Sequence, residues 1–566
     1  MAWFHEAIFY HIYPLGLTNA PKQNDYGEVK HRLKEIFPWI THIKELGCNA
    51  IYIGPLFESV GHGYETTDYK KLDSRLGDNK DLTEFVDTCH REGIRVILDG
   101  VFNHTGRDFF AFSDLKKNRE GSLYKDWYCN VNFGGNTEYN DGFSYQNWGG
   151  YNLLVKLNQK NPGVQEYIAD VIRFWVQEFH IDGIRLDAAD VLDFDYMQML
   201  RRVANEVKED FWLMGEVIHG DYGKWANEGT LHSVTNYQLH KALYSGHNDH
   251  NYFEIAHTVK YLNGLQEKGI MLYNFVDNHD VERIYTKLQN KNHFLPVHIL
   301  LYTLPGIPSI YYGSEFGMEG KKERGSDDSL RPSFTLDHMK EREFFRKIIA
   351  MLGKIRSGVK ALTYGNYEEL LLTNRQYAFA RRWEGKDAFI VVNNDENSTF
   401  ISLPVGKNTI FLGLISGKTF QAENGRLNVE LGACLGEIFI EETGYETFSV
   451  LEEKIEKRET IFTENKKEEE VISQTDEDKK DGEEERKEKI MAEEQPVKIE
   501  EAKKQEKNGD WAVIDRTKSY EEMSVEELQA VIYEKMAKNG PVTDRMKQDI
   551  VENIYHNSLV TWAKSF

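Results

Sequence analysis

Up to about residue 358 the chain alternates short β-branched or aromatic runs with longer stretches whose apolar positions recur every three or four residues. That is the pattern of repeated strand–helix units. Strands are predicted at "AIFYHIYP", "AIYIGP", "RVILDGVFN", "GIRLDAA", "FWLMGEV", "SVTNY", "LYNFVDN" and "IPSIYYG", with amphipathic helices such as "DLTEFVDTCHREG" and "VQEYIADVIRFWVQEF" between them. Eight such units predict an α/β fold, a parallel (β/α)8 TIM barrel over 1–358, with its site at the C-terminal strand ends. The stretch 105–160 after the third strand is too long for an ordinary connection and reads as an inserted subdomain.

From 359 the period falls to two. "YAFARRWEGKDAFIVVNN" and "RLNVELGACLGEIFIEE" predict an antiparallel β domain over 359–447. Residues 448–508 are densely charged and carry too few apolar side chains to form a core, so they read as a flexible linker. Apolar periodicity returns over 509–566. Ser524 and Glu527 form a capping-box pattern ahead of one helix, Gly540-Pro541 stops it, and a second helix follows. This small helical module reads either as a hairpin that packs on itself or on the β domain, or as a docking element for a protein partner, and its charged tether favours docking.

Composition narrows the function. The 566 residues carry a formal net charge of -23, which argues against a nucleic-acid or anionic-membrane partner and favours a neutral substrate. No run reaches the ~20 apolar residues of a membrane span, and the N-terminus lacks a signal-peptide pattern, so a cytoplasmic location is expected. The four cysteines are widely spaced and read as reduced thiols rather than a zinc or redox motif.

Chemistry enters where predicted strands end. Asp99, Asn103 and His104 follow the third strand, Arg185 and Asp187 end the fourth, Glu216 ends the fifth, and Asp277, His279 and Asp280 follow the seventh. A single strand-end Asp is ordinarily a helix cap, but a barrel converges four such ends on one pocket. Two carboxylates there can cleave a glycosidic bond, one as nucleophile and one as proton donor. Arg185 shares a strand face with Asp187 and should hold it ionised as the nucleophile. Glu216, among the apolar residues of "FWLMGEVI", should stay neutral as the general acid. Asp280, near His104 and His279, would bind sugar hydroxyls and favour the positive charge of the transition state.

These residues match a known pattern. "DGVFNH", "GIRLDAAD", "GEVIH" and "FVDNHD", with "GHGYETTDY" and "GIPSIYYGSEFGM", resemble the signature regions of glycoside hydrolase family 13, the α-amylase family, over residues 5 to 445. The resemblance implies a retaining α-glucan hydrolase with Asp187 as nucleophile, Glu216 as acid/base and Asp280 as third carboxylate. It also implies that Arg185, His104, His279, His62 and Tyr64 surround the cleaved sugar, with Tyr64 stacked beneath it. "LLVKLNQKNPGVQEYI" is similar to the fifth region of the neopullulanase, cyclomaltodextrinase and maltogenic amylase group. Those enzymes usually carry an N-terminal β domain used in dimerisation, whereas this chain starts at its first barrel strand, which puts their dimer in doubt.

Two departures matter. In "GSDDSLRPSF", Ser326 and Leu330 stand where many relatives have Asp and Arg, leaving Asp328 and Arg331 as substitutes and an altered grip one sugar from the cleavage point. Asn103 matches a position that often holds a structural calcium, but Ala189-Asp190 replaces the Lys-His of calcium-dependent α-amylases. No cofactor is required, and calcium at Asn103 is the one metal this pattern admits. Trp127, Tyr128, Tyr145, Trp148 and Tyr151 of the insertion are expected to be mostly structural, with one or two touching an α-glucan oligosaccharide. A transglycosylase of the same family, and a non-catalytic glucan-binding scaffold, are the competing readings.

Overall fold

The computed structural model describes residues 2–442 apart from Gly325, together with Ser519 and residues 523–539. The chain divides into two compact units, 1–470 and 471–566.

In the first unit eight parallel strands run in chain order: β1 (Phe9–Ile12), β2 (Ala50–Ile53), β3 (Arg95–Gly100), β4 (Gly183–Leu186), β5 (Trp212–Gly215), β6 (Ser233–Val234), β7 (Tyr273–Phe275) and β8 (Ile307–Tyr311). Their spatial order is β6-β5-β4-β3-β2-β1-β8-β7, and a parallel bridge from Thr235 to Tyr273 closes the ring. The strands are buried on both faces, as a barrel wall covered by helices demands. Alternation sends Phe9, Tyr52, Ile97, Trp212, Met214, Tyr273 and Phe275 into a core within the barrel, where Phe9 stacks on Trp212 at 5.2 Å. The helices outside are started by local chemistry. Asp78 and Asp81 form a capping box on Asn79–Arg91, Asn161 caps Pro162–Phe179, and Asp193 caps Phe194–Val207.

The insertion is a small layer of its own. His104–Thr105, Asn147–Trp148 and Tyr151–Lys156 make a three-stranded sheet. Phe112, Tyr128, Phe143 and Tyr145 pack together beneath it. Beyond the barrel helix Glu343–Gly358, strands between Asn366 and Glu441 form a six-stranded antiparallel sheet and a two-stranded ribbon, Thr399–Pro404 with Arg426–Leu431. Alternate residues such as Leu427, Val429 and Leu431 enter that domain's core.

In the second unit, helix Val525–Asn539 begins where Ser524 and Glu527 predict it: Glu527 N–H donates to Ser524 Oγ (3.2 Å) and Ser524 N–H to Glu527 Oε2 (2.7 Å). The charged linker over 448–508, the Gly540-Pro541 stop and the second C-terminal helix lie outside the described residues. No helix among the described residues is long and apolar enough to cross a membrane.

Candidate active site

Three strand ends, those of β3, β4 and β5, meet at one buried guanidinium. Arg185, on β4, donates to Asp99 Oδ1 (2.8 Å) and Asp187 Oδ1 (3.0 Å) through Nη1, and its Nη2 lies 2.9 Å from Glu216 Oε2. Only 3% of its side chain is exposed. Burial opposes its charge, but Asp99 and Glu216 hold it firmly protonated. Asp99 is fixed from its other side by the hydroxyls of Tyr52 (2.9 Å) and Tyr64 (3.1 Å). Room for Asp99 comes from Gly54 at the end of β2, where a Cβ would stand 2.4 Å from Asp99 Cβ.

The residue after Asp187 is strained. Ala188 adopts φ 46°, ψ 44°, the left-handed region that an alanine enters at a cost of about 1–2 kcal/mol. The turn aims Ala188 N–H at Glu216 Oε2, 3.1 Å away. Glu216 Oε1 in turn faces the Tyr237 hydroxyl at 3.4 Å, and Asn278 Nδ2 donates to that hydroxyl (3.1 Å). The apolar surroundings expected for Glu216 are therefore not found. Its backbone neighbours are apolar, but its carboxylate is met by Arg185, a backbone amide and a tyrosine.

Asp187 also differs from expectation. Burial pushes its carboxyl well above the usual range, and Glu216, Asp99 and Asp280 add repulsion that Arg185, shared among three carboxylates, does not cancel. Asp280 goes the other way. Burial works to raise it, but the His279 ring (3.0 Å) and Arg331 Nη2 (2.9 Å) hold it well below the usual carboxylate range. Four carboxylates face two guanidiniums here. Burial therefore favours the neutral form of Asp187, while His279 and Arg331 favour the ionised form of Asp280.

Of the remaining predicted residues, Tyr64, His279 and Arg331 form one contiguous group. His279 bonds the Tyr64 hydroxyl and stacks between Tyr64 and Tyr13 at 5.8 Å from each ring. His104 is buried and pushed down to about 3 by desolvation, its Nε2 3.2 Å from Tyr64 O. His62 is half exposed, paired with Glu65 at 3.1 Å. Arg331 turns inward over the Tyr13 ring (4.7 Å) and donates to His279 O (3.0 Å). Asp328 does not join it: 64% of its side chain is exposed and it pairs with Lys22, while the neighbouring Asp327 lies 3.3 Å from Arg331. Asp277 is structural, accepting from Ser314 Oγ (2.6 Å) and Ile284 N–H (2.8 Å).

Calcium at Asn103 does not fit. Asn103 Oδ1 already accepts from the Lys156 ammonium and from Gln159 Nε2 (3.1 Å), and Lys156 also reaches Val191 O (3.4 Å). A tethered cation sits where a divalent ion would need its oxygens, and would repel one. The one grouping with metal-like spacing among the described residues, His31, Asp78 and Asp81, belongs to a helix cap and an ion pair with Lys34. Of the insertion aromatics, Tyr128 and Tyr145 are buried, Trp127 packs against Phe110 and Tyr124, Trp148 is half-buried and Tyr151 is exposed.

Sequence reasoning passed over Tyr237, Tyr13 and Lys156. "TNYQ" contained the signal for the first, but β6 is too short to show which face Tyr237 takes.

Comparison with known proteins agrees with this geometry. Residues 12–351 match the model described as "Alpha amylase, catalytic domain". The chain is 32% identical to a cyclomaltodextrinase of Thermoanaerobacter pseudethanolicus, over 74% of this chain and 73% of that one. It is 30% identical to neopullulanase 2 of Thermoactinomyces vulgaris, over 77% and 78%. Among solved structures, a cyclomaltodextrinase superposes with a TM-score of 0.69 at 28% identity, covering 77% of this chain and 78% of the other. A debranching enzyme of Nostoc punctiforme gives 0.68 at 27%, covering 77% and 98%.

Proposed function

Given that the chain belongs to the alpha-amylase family of glycoside hydrolases, we propose that it is a retaining enzyme that cleaves α-1,4-glucosidic bonds in maltooligosaccharides, with Asp187 as nucleophile and Glu216 as acid/base. The observation that carries the reading is Arg185 bridging Asp99, Asp187 and Glu216. It holds the two reacting carboxyls in one buried cluster. With sugar bound, the Glu216 carboxyl gives a proton to the leaving glycosidic oxygen as Asp187 Oδ attacks the anomeric carbon. Glu216, now ionised, takes a proton from water, whose oxygen displaces Asp187. Asp280, kept ionised by His279 and Arg331, stabilises the cationic sugar and binds its hydroxyls. Tyr64, stacked on His279, offers its ring beneath that sugar.

Relatives named cyclomaltodextrinase and neopullulanase support short or cyclic maltodextrins as substrates. Two relatives named intracellular maltogenic amylase support a cytoplasmic site of action. The test is a product chromatogram from maltoheptaose, β-cyclodextrin, pullulan and soluble starch, beside Asp187→Asn and Glu216→Gln. Each variant should lose about 10²–10⁴-fold or more in turnover. An Asp187→Asn enzyme as active as the parent would overturn the assignment.

A further inference from the structure

Two residues before Tyr13, on β1, lies a histidine that the chemistry above does not use. His11 is buried, its ring stacked on Tyr52 at 4.1 Å with planes inclined by 19°, and perpendicular to that of His279 at 5.2 Å. Tyr311 of β8 closes a third side at 4.8 Å. Tyr52 is the residue whose hydroxyl holds Asp99, and His279 the one that holds Asp280. His11 therefore meets both halves of the site, the Arg185 cluster through one aromatic neighbour and the third carboxylate through the other.

The nitrogens of the two histidines are complementary. His279 Nε2 is committed to the Tyr64 hydroxyl and to Asp280 Oδ2 (3.0 Å). An ionised carboxylate only accepts, so Nε2 carries a proton. His279 Nδ1 is buried without a hydrogen-bond partner among the described residues, and so is His11 Nε2. A buried polar atom left unpaired is costly, and one bond between these two rings would satisfy both. Burial, with His279 and Arg185 nearby, pushes His11 well below the ordinary histidine range and keeps it neutral. A neutral imidazole donates at one nitrogen and accepts at the other, so His11 can answer His279 Nδ1 in either role. The χ2 torsion of histidine is broad, and a turn of the His11 ring joins the two. What one nitrogen of an imidazole bonds then decides what the other presents.

We propose that His11 is a positioning residue of the reaction: its Nε2 bonds His279 Nδ1, and this bond fixes the ring plane in which His279 turns Nε2–H to Asp280 and the bound sugar. The effect on catalysis rests on the glycosidase reading above, whereas the bond itself does not.

The test separates the nitrogen from the ring. His11→Phe keeps a ring on Tyr52 and removes the nitrogen, while His11→Gln gives up the ring and keeps an amide that donates and accepts. On maltoheptaose, kcat should fall about tenfold in His11→Phe with KM within about twofold, and recover to within about threefold of the parent in His11→Gln. A packing role predicts the opposite order. Parental activity in His11→Phe, or a His11→Gln enzyme no better than His11→Phe, overturns the proposal. If His11→Phe fails to fold, His11→Met, which also lacks the nitrogen, takes its place. A second measurement needs no turnover. In the full chain, isotope-labelled at the histidine ring nitrogens, nuclear magnetic resonance should show a nitrogen–nitrogen coupling across the hydrogen bond that vanishes in both His11→Phe and His279→Gln. Its absence from the parent overturns the proposal. Should the parent turn over no glucan, the glycosidase reading fails, and the coupling decides the bond by itself.

Discussion

At the scale of single residues, the site works by sharing. Arg185 serves three carboxylates, and Asn278 serves two loops: its Oδ1 accepts from the backbone of Asp280 (2.8 Å) while its Nδ2 donates to Tyr237. Tyr237 is therefore the joint between the Asp280 loop and Glu216. Replacing it with Phe removes one hydrogen bond to a charged group. We expect kcat to fall roughly 5–20-fold with KM little changed, together with a shifted alkaline limb in the pH–rate profile, the limb that the general acid governs; a profile superimposable on the parent's would show that Tyr237 does nothing for Glu216. Lys156 gives a second expectation. With its ammonium on Asn103, activity should survive a chelator unchanged, and Lys156→Met should lower stability by about 1–3 kcal/mol in denaturant melts by leaving buried oxygens short of a donor. Arg185, Asp187 and Glu216 were legible in the sequence because strand alternation and strand ends fix where they point. The environment of Glu216 was not. Its sequence neighbours are apolar, but its spatial neighbours come from β4 and from residues twenty-one positions later.

At the scale of elements, the loop after β8 shows what a pattern of residues leaves open. "GSDDSLRPSF" offers two acids, Asp327 and Asp328, to the cleft, and the short 3-10 turn Asp328–Leu330 decides which one faces in. That turn rotates Asp328 outward to Lys22 and leaves Asp327 beside Arg331. The phase of a three-residue turn is set by its packing, here the close approach of Gly16, whose Cβ would stand 2.4 Å from Arg331 O, and no periodicity reports it. The contrast is measurable. Arg331→Ala should raise KM for maltooligosaccharides roughly tenfold by releasing Asp280 and the His279 carbonyl, whereas Asp328→Ala should stay within about twofold, as exposed ion pairs contribute little. The reverse ranking in steady-state kinetics would mean that the loop closes differently around substrate. The barrel was readable from short apolar runs alternating with helices of period 3.6, the β domain from its period of two, and the insertion from its length.

At the scale of the molecule, buried histidines set the pH response. Burial pushes His104, His240 and His247 down to about 3 and His298 to about 4. Unfolding returns each to about 6.5. Their folded values are depressed, so the unfolded chain takes up the protons. Stability is complete above pH ~6.5 and falls as pH drops from there toward 4, each group contributing up to about 1.4 kcal/mol per pH unit. Thermal melts at pH 7.5 and 5.5 should therefore differ by many degrees, and equal midpoints would contradict the burial of these rings. The barrel wall adds a further point. Between β6 and β7 the ring is closed by one backbone bridge, from Thr235 to Tyr273, and is otherwise stitched by side chains: Asn236 to Asn274 (2.9 Å) and Ser233 Oγ to Met271 O (2.7 Å). A small cavity lined by Asn236, Met271 and Pro305 adjoins this seam. The stave that fails first under heat or denaturant is thus the one between Tyr237 and the His279–Asp280 loop. Amides of 233–236 should exchange with solvent well before those of β3 and β4, so that catalysis is lost while the rest of the barrel still stands.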